Sequence, residues 1–436
     1  MDGEALRSTA TFSPDTGRLS VNLSAKKKLP ELSWDYANDV LEDAVERPSV
    51  DEQGKARWGI VKMNILILIV GSRGDVQPYL ALALKLVEEG HRVRLGTHGE
   101  FKSLIEQSSK FKVEFFDIGG DPKDLMSYMV KNPGLLPGWD SLTNGDIGRK
   151  TKMLSEIMNG AYRACLFPDP RTGSGFAVDA IISNPPVFGH IHIAECLGIP
   201  LQMSFTMPWT PTIEFSHPLV DLRSNTEPSL SNYLSYGLAD HLTWRGLAGV
   251  INKFRKKTLG LIPLSGRSGP SVVDRLKIPW TYCWSQGLIP KPHDWKNTID
   301  ISGFYFLDLA TDYRPPPDLE AFLAAGPPPI YIGFGSVPVK DPAAMTTILL
   351  EAVRETGVRA LISAGWGGLG GSDVPENVFI LGSTPHDWLF TKVSAVCHHG
   401  GAGTTAIGLL NGRPTIVVEF QRIVPLIRLG LKRASR

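Results

Sequence analysis

Residues 394–405 combine a short apolar run, a histidine pair and a glycine-rich loop that leads into a helix. Gly400, Gly401 and Gly403 allow the backbone to approach a ligand closely, because glycine has no side chain. The first N–H groups of a helix have no partner within it, so this loop favours an anion such as a phosphate. His399 adds a ring N–H, or a positive charge when protonated, where a departing diphosphate gains negative charge. By spacing alone, an ordinary strand-to-helix turn explains the same residues equally well.

A second polar loop, residues 71–78, directly follows the apolar run 63–70. Asp75 lies near the start of the next helix, where a carboxylate interacts favourably with the helix dipole and caps free N–H groups. The cap alone explains this residue, yet a carboxylate beyond the carboxyl end of a strand is also placed to accept a proton. Because an aspartate repels phosphate, the first loop suits proton transfer and the later loop suits a nucleotide.

Alternating strand and helix patterns position both loops. The run 63–70 has the length and uniform apolarity of a central parallel strand, and apolar residues at helical spacing follow it. Strands are predicted in a first series at 63–70, 92–96, 111–115, 179–184 and 201–205, and in a second series at 330–334, 359–363, 378–381, 393–397 and 414–418. The pattern predicts an α/β protein with two Rossmann-like, doubly wound domains that face a cleft.

The predicted domain boundaries follow changes in composition. Residues 1–62 are polar and mixed in charge, which predicts a flexible leader, and residues 63–311 form the first domain. Clustered prolines predict a stiff linker at 312–329, and the second domain occupies residues 330–436. The cleft between the two domains is therefore the predicted place of the chemistry.

Composition and charge argue against several classes of protein. The chain carries 45 Lys+Arg and 44 Asp+Glu, so no global field selects nucleic acid, and no nucleic-acid partner is predicted. The longest aliphatic run is far shorter than the roughly 20 residues that span a bilayer. The four cysteines have no paired or zinc-like spacing, which predicts free thiols in a reducing compartment. We therefore predict a cytoplasmic protein, for which peripheral contact with membranes stays open.

The middle of the first domain is rich in aromatic residues. Phe205, Met207 and Trp209 are predicted to wall an apolar acceptor pocket, although packing in the core explains them nearly as well. His192 and Glu195 lie three residues apart on a predicted helix, which is a spacing that metal ligands use. A pair whose hydrogen bonds are satisfied by neighbouring residues is the favoured interpretation, and no metal site is predicted.

Five motifs along residues 63–418 resemble the sterol 3-beta-glucosyltransferases of fungi and plants, which are inverting UDP-sugar enzymes of the GT-B fold. The motifs are residues 71–78, 333–336, 385–390, 398–405 and 412–418. The resemblance implies a UDP-glycosyltransferase that moves glucose from UDP-glucose to the hydroxyl of a sterol or a similar lipid, with no metal or other cofactor. A nucleotide-dependent oxidoreductase is the alternative from a different class, but the chain lacks a full G-x-G-x-x-G fingerprint.

The resemblance also implies roles for single residues. Asp75 corresponds to the base that takes the proton from the acceptor hydroxyl. The donor diphosphate would be held by His399, Ser336, Gly401, Ala402, Gly403 and Thr404. Trp388, at the end of the segment 383–388, would border the uracil. The acceptor sterol would lie in the cleft of the first domain, near Phe205, Met207 and Trp209.

The end of the sequence departs from the family's pattern. After residues 412–418 the family continues to an Asp-Gln pair that holds the sugar hydroxyls, whereas here residues 419–422 are Glu-Phe-Gln-Arg and the sequence stops at Arg436. The resemblance therefore predicts a truncated, incomplete second domain. It also raises a second hypothesis, in which the chain is a catalytically weak relative that binds UDP.

Overall fold

The computed structural model describes only part of the chain. The described ranges are residues 61–124, 146–224, 228–270, 272–308, 313–335, 341–365, 369 and 374–418, with the backbone alone of residues 7–12, 19–24, 146–147 and 221–224. Within these ranges the strands form one sheet of three strands, one of seven and one of five. The seven-stranded sheet with its helices is the first lobe, and the five-stranded sheet with its helices is the second lobe.

The strands follow one another along the chain in this order: β1 (Arg7–Phe12), β2 (Leu19–Ser24), β3 (Asn64–Leu68), β4 (Arg92–Thr97), β5 (Glu114–Asp117), β6 (Ala180–Ser183), β7 (Leu201–Phe205), β8 (Val220–Ser224), β9 (Trp280–Tyr282), β10 (Ile299–Ile301), β11 (Ile330–Gly333), β12 (Ala360–Ser363), β13 (Val378–Leu381), β14 (Ala395–His398) and β15 (Thr415–Val417). The helices are α1 (Arg73–Glu88), α2 (Lys102–Ser108), α3 (Asp146–Leu166), α4 (His190–Leu197), α5 (Pro228–Phe254), α6 (Val272–Arg275), α7 (Pro317–Ala324), α8 (Pro342–Thr356), α9 (His386–Leu389) and α10 (Ala402–Leu410). A π-helical turn, Arg255–Leu259, continues α5.

The central strand β3 is apolar from Ile65 to Leu68 because both of its faces are covered. Leu66 and Leu68 pack into one core of the first lobe, and Ile65 and Ile67 pack into the core on the opposite face. Successive strand residues point to opposite faces, so a strand between two helix layers needs an unbroken apolar run. The sequence prediction of a central parallel strand is therefore confirmed.

The strand order creates one topological switch point in each lobe. The first sheet has the order β10-β9-β7-β6-β3-β4-β5, and the second has the order β13-β12-β11-β14-β15, with every pair parallel. The chain leaves β3 towards β4 and later returns to β6 on its other side, and it does the same around β11 and β14. Ligands of open parallel sheets bind outside the carboxyl ends of the strands at this point. The loops after β3 and β14 are therefore the ones that the topology positions for function.

Helix α8 illustrates how local sequence sets the ends of a helix. Asp341 precedes it and accepts a hydrogen bond from the N–H of Ala344 at 2.9 Å, and Pro342 takes the first helical position. Gly357 follows the last residue with φ +65°, a left-handed conformation that glycine adopts without strain. The predicted helix around residues 343–355 is thereby confirmed, with one more residue at each end.

The amino-terminal leader differs from the sequence prediction at two places. Residues 7–12 and 19–24 form the antiparallel pair β1 and β2, and β2 pairs in parallel with β8. The prediction of a flexible leader is therefore wrong for these residues. Local pattern gave no sign of the pairing, since β8 lies about two hundred residues further along the chain. Residues 1–6, 13–18 and 25–60 lie outside the described part of the chain.

The proline-rich segment predicted as a linker contains a packed helix. Pro316 precedes α7 and Pro317 is its first residue, so these prolines begin a helix instead of extending a spacer. Leu319 is 1% exposed and packs with Tyr331 and Leu361 in a core of the second lobe. The linker interpretation is therefore wrong for residues 317–324, which belong to the second lobe.

None of the helices in the described ranges has both the length and the apolarity needed to span a bilayer.

Candidate active site

The two lobes contact each other through the helices that follow the two predicted loops. Helix α1, which begins two residues after Gly71, contacts α10 of the second lobe. Arg73, the first residue of α1, is also close to the start of α9. Burial and, to a smaller extent, the Arg73 guanidinium lower the pKa of His386 to about 4. Helices α1, α9 and α10 of the two lobes therefore lie close together.

Asp75 lies in the first turn of α1 and closes a capping box with Ser72. Its Oδ2 accepts hydrogen bonds from the Ser72 N–H at 2.8 Å and from the Ser72 hydroxyl at 3.1 Å. Burial raises the pKa of the carboxyl, and the bonds from Ser72 act in the opposite direction. The interpretation of Asp75 as a helix cap is therefore confirmed, and its role as a base stays a prediction.

Gly71 provides the space that the Asp75 carboxylate occupies. Its φ is +147°, and a Cβ at this position would lie 2.4 Å from Oδ2 of Asp75. Any other residue would therefore have to displace the carboxylate, in addition to adopting a strained backbone conformation. Gly71, in the loop after β3, therefore leaves room for the side chain of Asp75 four residues later.

Two buried polar side chains hold the loop between β3 and α1 from both sides. Asn184, after β6, accepts a hydrogen bond from the Val70 N–H at 3.1 Å and donates one to the Val70 carbonyl at 2.8 Å. His98, after β4, accepts one from the Gly71 N–H at 3.2 Å through Nε2, so its Nδ1 carries the proton and donates to the Gly119 carbonyl at 2.8 Å. Sequence reasoning missed both residues. The available signal was a polar residue that directly follows a buried strand at the carboxyl edge of the sheet.

The glycine-rich loop after β14 leads into α10, whose first N–H groups are not bonded by a side-chain cap in the described ranges. Gly401 precedes α10, and no side chain in the described ranges caps this helix. The N–H groups of Ala402, Gly403 and Thr404 therefore have no acceptor within the helix. The neighbouring Thr405 donates its hydroxyl to the Gly401 carbonyl at 2.9 Å, so this hydroxyl is already engaged.

The His399 ring lies between two glycine-containing loops. A Cβ at Gly335, where φ is +60°, would lie 2.8 Å from Cε1 of His399, and a Cβ at Gly401 would lie 2.7 Å from Nε2. Nδ1 of His399 is buried and has no hydrogen-bond partner among the described residues. Burial lowers the pKa of this imidazole to about 4, so at neutral pH the ring offers an N–H donor and no charge. His399 and Gly401 are thus brought together as the sequence predicted.

Two further histidines lie close to His399 and were not predicted as site residues. His398 accepts a hydrogen bond from the Gly400 N–H at 3.0 Å through Nδ1, so Nε2 carries the proton, and Nε2 is buried without a partner in the described ranges. Nε2 of His386 is 3.1 Å from the Tyr331 hydroxyl, and its ring stacks on Phe390 with centroids 4.8 Å apart. His386 lies in a motif that carries the resemblance, but only the fold brings it next to β14.

Of the predicted donor residues Trp388 and Ser336, the structure describes only Trp388. Trp388 is half-buried in α9, and its ring centroid lies 5.1 Å from that of Tyr313. Its predicted contact with uracil stays a prediction. Ser336 lies outside the described residues, immediately after Gly335, and its predicted contact with the donor also stays a prediction.

The predicted acceptor residues lie at the carboxyl end of β7. Phe205 is 4% exposed in the core of the first lobe, and its ring centroid is 5.3 Å from that of Trp209. Met207 and Trp209 are half-buried beyond the end of the strand. Tyr79 of α1 donates to Ser204 of β7 at 3.1 Å, so this strand end lies beside the helix that carries Asp75. An acceptor pocket here stays a prediction.

His192 and Glu195 both contact the buried side chain of Arg255. Glu195 forms hydrogen bonds with the guanidinium at 2.6 and 3.1 Å, and Nδ1 of His192 is 2.9 Å from it. The interpretation of a satisfied pair is therefore confirmed. In the part of the chain that the structure describes, no three His, Cys, Asp or Glu side chains are grouped so that they could hold a metal ion.

Comparison with known proteins identifies the relatives of the chain. Residues 65–216 match the Glycosyltransferase family 28 N-terminal domain. Over 397 residues the chain is 45% identical to sterol 3-beta-glucosyltransferase UGT80A2 of Arabidopsis thaliana, a match that covers 88% of this chain and 60% of that protein. The chain is therefore similar to sterol 3-beta-glucosyltransferases over most of its length. The fungal sterol 3-beta-glucosyltransferase of Yarrowia lipolytica is 38% identical over 372 residues, with 82% of this chain and 24% of that protein covered.

The fold of this sterol 3-beta-glucosyltransferase relative also has solved counterparts. The glycosyltransferase of kitacinnamycin superposes with a TM-score of 0.57 at 15% identity, covering 86% of this chain and 85% of that one. At this identity the match establishes the fold alone, and the predicted GT-B fold is confirmed. The family resemblance inferred from the motifs is likewise confirmed. The chain spans about 60% of the length of UGT80A2.

Proposed function

We propose that the chain is an inverting glucosyltransferase that moves glucose from UDP-glucose to the hydroxyl of a sterol or a similar lipid. One observation carries the proposal: α1, with Asp75 in its first turn, contacts α10, whose N-terminus has no side-chain cap in the described ranges. The helix that carries the proposed proton acceptor is therefore in contact with the helix whose N-terminus is the proposed anion site. The names of the relatives supply the classes of donor and acceptor.

Asp75 is the proposed base. Its Oδ2 accepts both hydrogen bonds from Ser72, which leaves Oδ1 to take the proton of the acceptor hydroxyl. Burial raises the pKa of the carboxyl, which brings its proton affinity closer to that needed near neutral pH. The acceptor oxygen forms a bond to the anomeric carbon of glucose, and the bond from that carbon to the diphosphate oxygen breaks. The sugar inverts its configuration, and the electron pair leaves with UDP.

The start of α10 and His399 are proposed to hold the departing diphosphate. Free N–H groups at a helix N-terminus stabilise negative charge through hydrogen bonds and the helix dipole. The neutral ring of His399 adds one N–H donor beside them. Because these groups are held in place before the reaction, they stabilise charge as it develops, and the proposal assigns no step to a metal or other cofactor.

The proposal is tested by measuring UDP release from UDP-glucose with and without a 3-beta-hydroxysterol in detergent micelles. We expect sterol-dependent release that falls by about 1,000-fold in Asp75→Asn, since the amide cannot accept the proton. His399→Ala should also lower turnover, by about 100-fold. Asp341→Asn is the matched control, because Asp341 caps α8 and is expected to leave turnover unchanged.

The same assay separates this proposal from a relative that binds UDP without transferring sugar. That alternative is supported if UDP raises the melting temperature while no glucosylated sterol forms. Turnover that is equal in wild type and Asp75→Asn would contradict the role of the base. Sterol-independent release of UDP would contradict the lipid acceptor.

A further inference from the structure

The segment from residue 245 to residue 277 carries a large local excess of positive charge. It contains eight basic residues and one acidic residue, Asp274, whereas the whole chain has a formal charge of only +1. One of the eight, Arg255, is buried and paired with Glu195 at 2.6 Å. The exposed cations of this segment are Arg245, Lys253, Lys256, Lys257, Arg267, Arg275 and Lys277. Compensating acids must therefore lie elsewhere in the chain.

Two large aliphatic side chains are exposed within the same segment. Ile262 is 83% exposed and Leu276 is 51% exposed. An isolated exposed aliphatic residue needs no explanation, but these two occur in a segment in which six exposed cations lie between Lys253 and Lys277. We call the exposed residues from Lys253 to Lys277, including Ile262 and Leu276, the basic face.

Hydrogen bonds hold the parts of the basic face together. The buried Arg255 donates through Nε to the Ile262 carbonyl at 2.9 Å, so Ile262 lies directly beside the turn that carries Lys256 and Lys257. Asn252 of α5 makes two hydrogen bonds with the backbone of Leu264, at 2.8 and 2.9 Å. These bonds hold the segment after the π-helical turn against α5. Lys256, Lys257, Arg267 and Lys277 form no ion pair with any described residue. Hydrogen bonds therefore fix Ile262 beside Lys256 and Lys257, and four cations of the basic face have no ion-pair partner among the described residues.

We propose that the basic face docks onto the surface of a bilayer that contains anionic lipids. Lysine and arginine near an anionic leaflet each add to the attraction, and aliphatic side chains beside them gain by entering the boundary between headgroups and acyl chains. A nucleic-acid surface would use the cations but leaves Ile262 and Leu276 exposed to water, so it fits the face less well. The inference does not rest on the proposed glucosyl transfer, although a lipid acceptor would be reached from such a surface.

Flotation of the full chain with lipid vesicles tests the proposal. We expect at least about 10-fold tighter binding to phosphatidylcholine vesicles with about 30% phosphatidylserine than to pure phosphatidylcholine. Raising NaCl to about 0.5 M should remove most of the difference, because salt screens the attraction. The double variant Lys256→Glu with Lys257→Glu should weaken binding by at least about 10-fold, and Ile262→Asp by about 5-fold.

Matched controls come from the second lobe. Ile348 is 59% exposed on α8 and Lys392 is also exposed, so Ile348→Asp and Lys392→Glu make the same chemical changes outside the basic face. These variants should bind anionic vesicles as the wild type does. Equal binding to both kinds of vesicle, or equal loss in the control variants, would overturn the proposal. Tighter binding to a DNA oligonucleotide that competes with the vesicles would overturn it in favour of a nucleic-acid surface.

Discussion

The side chain of Asn184 bonds both backbone groups of Val70, as a neighbouring strand does for residues inside the sheet. Its amide donates to the carbonyl and accepts from the N–H of Val70, so both backbone groups remain paired where β3 has already ended. An unpaired buried backbone group costs about 1–3 kcal/mol, which makes this contact a strong constraint on the loop. Because the loop leads directly to Asp75, the position of the proposed base depends on an amide from another strand.

Asn184→Ala should lower kcat by about 10-fold or more and change the KM for UDP-glucose much less. The reason is that the variant loosens the loop of the base and leaves the donor loop of the other lobe intact. Asn252→Ala is the control. Asn252 makes the same two kinds of hydrogen bond, with the N–H and the carbonyl of Leu264, in a part of the sequence remote from the loop of Asp75. Both variants should lose similar stability in urea unfolding. A similar fall in kcat for both would show that the effect is only structural.

Gly335→Ala should weaken UDP binding by about 10-fold, because the new Cβ would lie 2.8 Å from the His399 ring and displace it. Gly357→Ala serves as the control, since Gly357 also has a positive φ, +65°, but no atom lies within 4 Å of the Cβ position. Both substitutions strain the backbone, so both should lower the melting temperature. Calorimetric titration with UDP measures the difference, and equal affinity in the two variants would contradict the placement of His399.

At the scale of residues, sequence could predict positions whose chemistry is visible in a local motif. Asp75, His399 and Gly401 each lie in a loop whose residue types suggested their use. His98 and Asn184 could not be predicted in this way, because their partners are 27 and 114 residues away. Their contacts exist only where several strand ends meet at one edge of the sheet.

At the scale of elements, the two helix starts at the cleft differ in how their N–H groups are satisfied. The start of α1 is closed by the capping box of Ser72 and Asp75, whereas α10 begins at Ala402 after Gly401, and no side chain in the described ranges caps it. A helix whose first N–H groups are bonded to side chains has few donors left for an anion. A helix whose first N–H groups are free favours anion binding. The sequence assigned proton transfer to the first loop and the nucleotide to the second, and both assignments stay predictions.

Ala402→Pro should lower the affinity for UDP by about 10-fold while the fold is kept, because proline removes one N–H donor from the start of α10. Proline is tolerated at the first helical position, as α7 and α8 already show. Gly401, with φ −60° and ψ 137°, already has the extended conformation that a residue before proline requires. Titration with UDP and a melting curve check the result. Unchanged affinity would place the diphosphate elsewhere.

Most elements were predictable because long apolar runs carry a clear period. The strands that sequence reasoning missed were short or had distant partners. Strands β9 and β10 contain three residues each, and β1 and β2 lie in a polar segment whose partner β8 is remote. The prolines around α7 were misread because proline begins helices as readily as it stiffens linkers.

At the scale of the whole molecule, the described residues include a group of buried histidines that resist protonation. Burial lowers the pKa of His190, His192, His217 and His398 to about 3, and that of His386 and His399 to about 4. Three carboxyls act in the opposite direction, since burial raises the pKa of Asp75, that of Asp240 to about 7 and that of Asp274 to about 6. The histidines outnumber the carboxyls, so acid should favour the unfolded chain.

The free energy of unfolding should therefore fall as the pH is lowered from about 6.5 to about 4. Unfolded histidines take up protons near pH 6.5, whereas the folded ones do so only near their lowered values. Urea unfolding at a series of pH values measures this slope, and stability that rises towards acid would contradict it.

Asp240→Asn provides a test with the opposite sign. The raised pKa of Asp240 means that its contribution is present below pH 4 and is lost as the pH rises through about 7. The variant should therefore be more stable than the wild type at about pH 8 and equal to it near pH 4. Asp341→Asn, at the N-cap of α8, is the control and should show no such crossover.

The pairing of β2 with β8 has a practical consequence for anyone who expresses this protein. A shortened gene that starts at residue 61 would remove β1 and β2, and the backbone of Val220–Ser224 would lose its partner strand and become an open edge. Open edges recruit strands from other molecules, so the shortened product should self-associate in gel filtration at concentrations where the intact chain does not. An affinity tag is better added ahead of the hairpin than used to replace it.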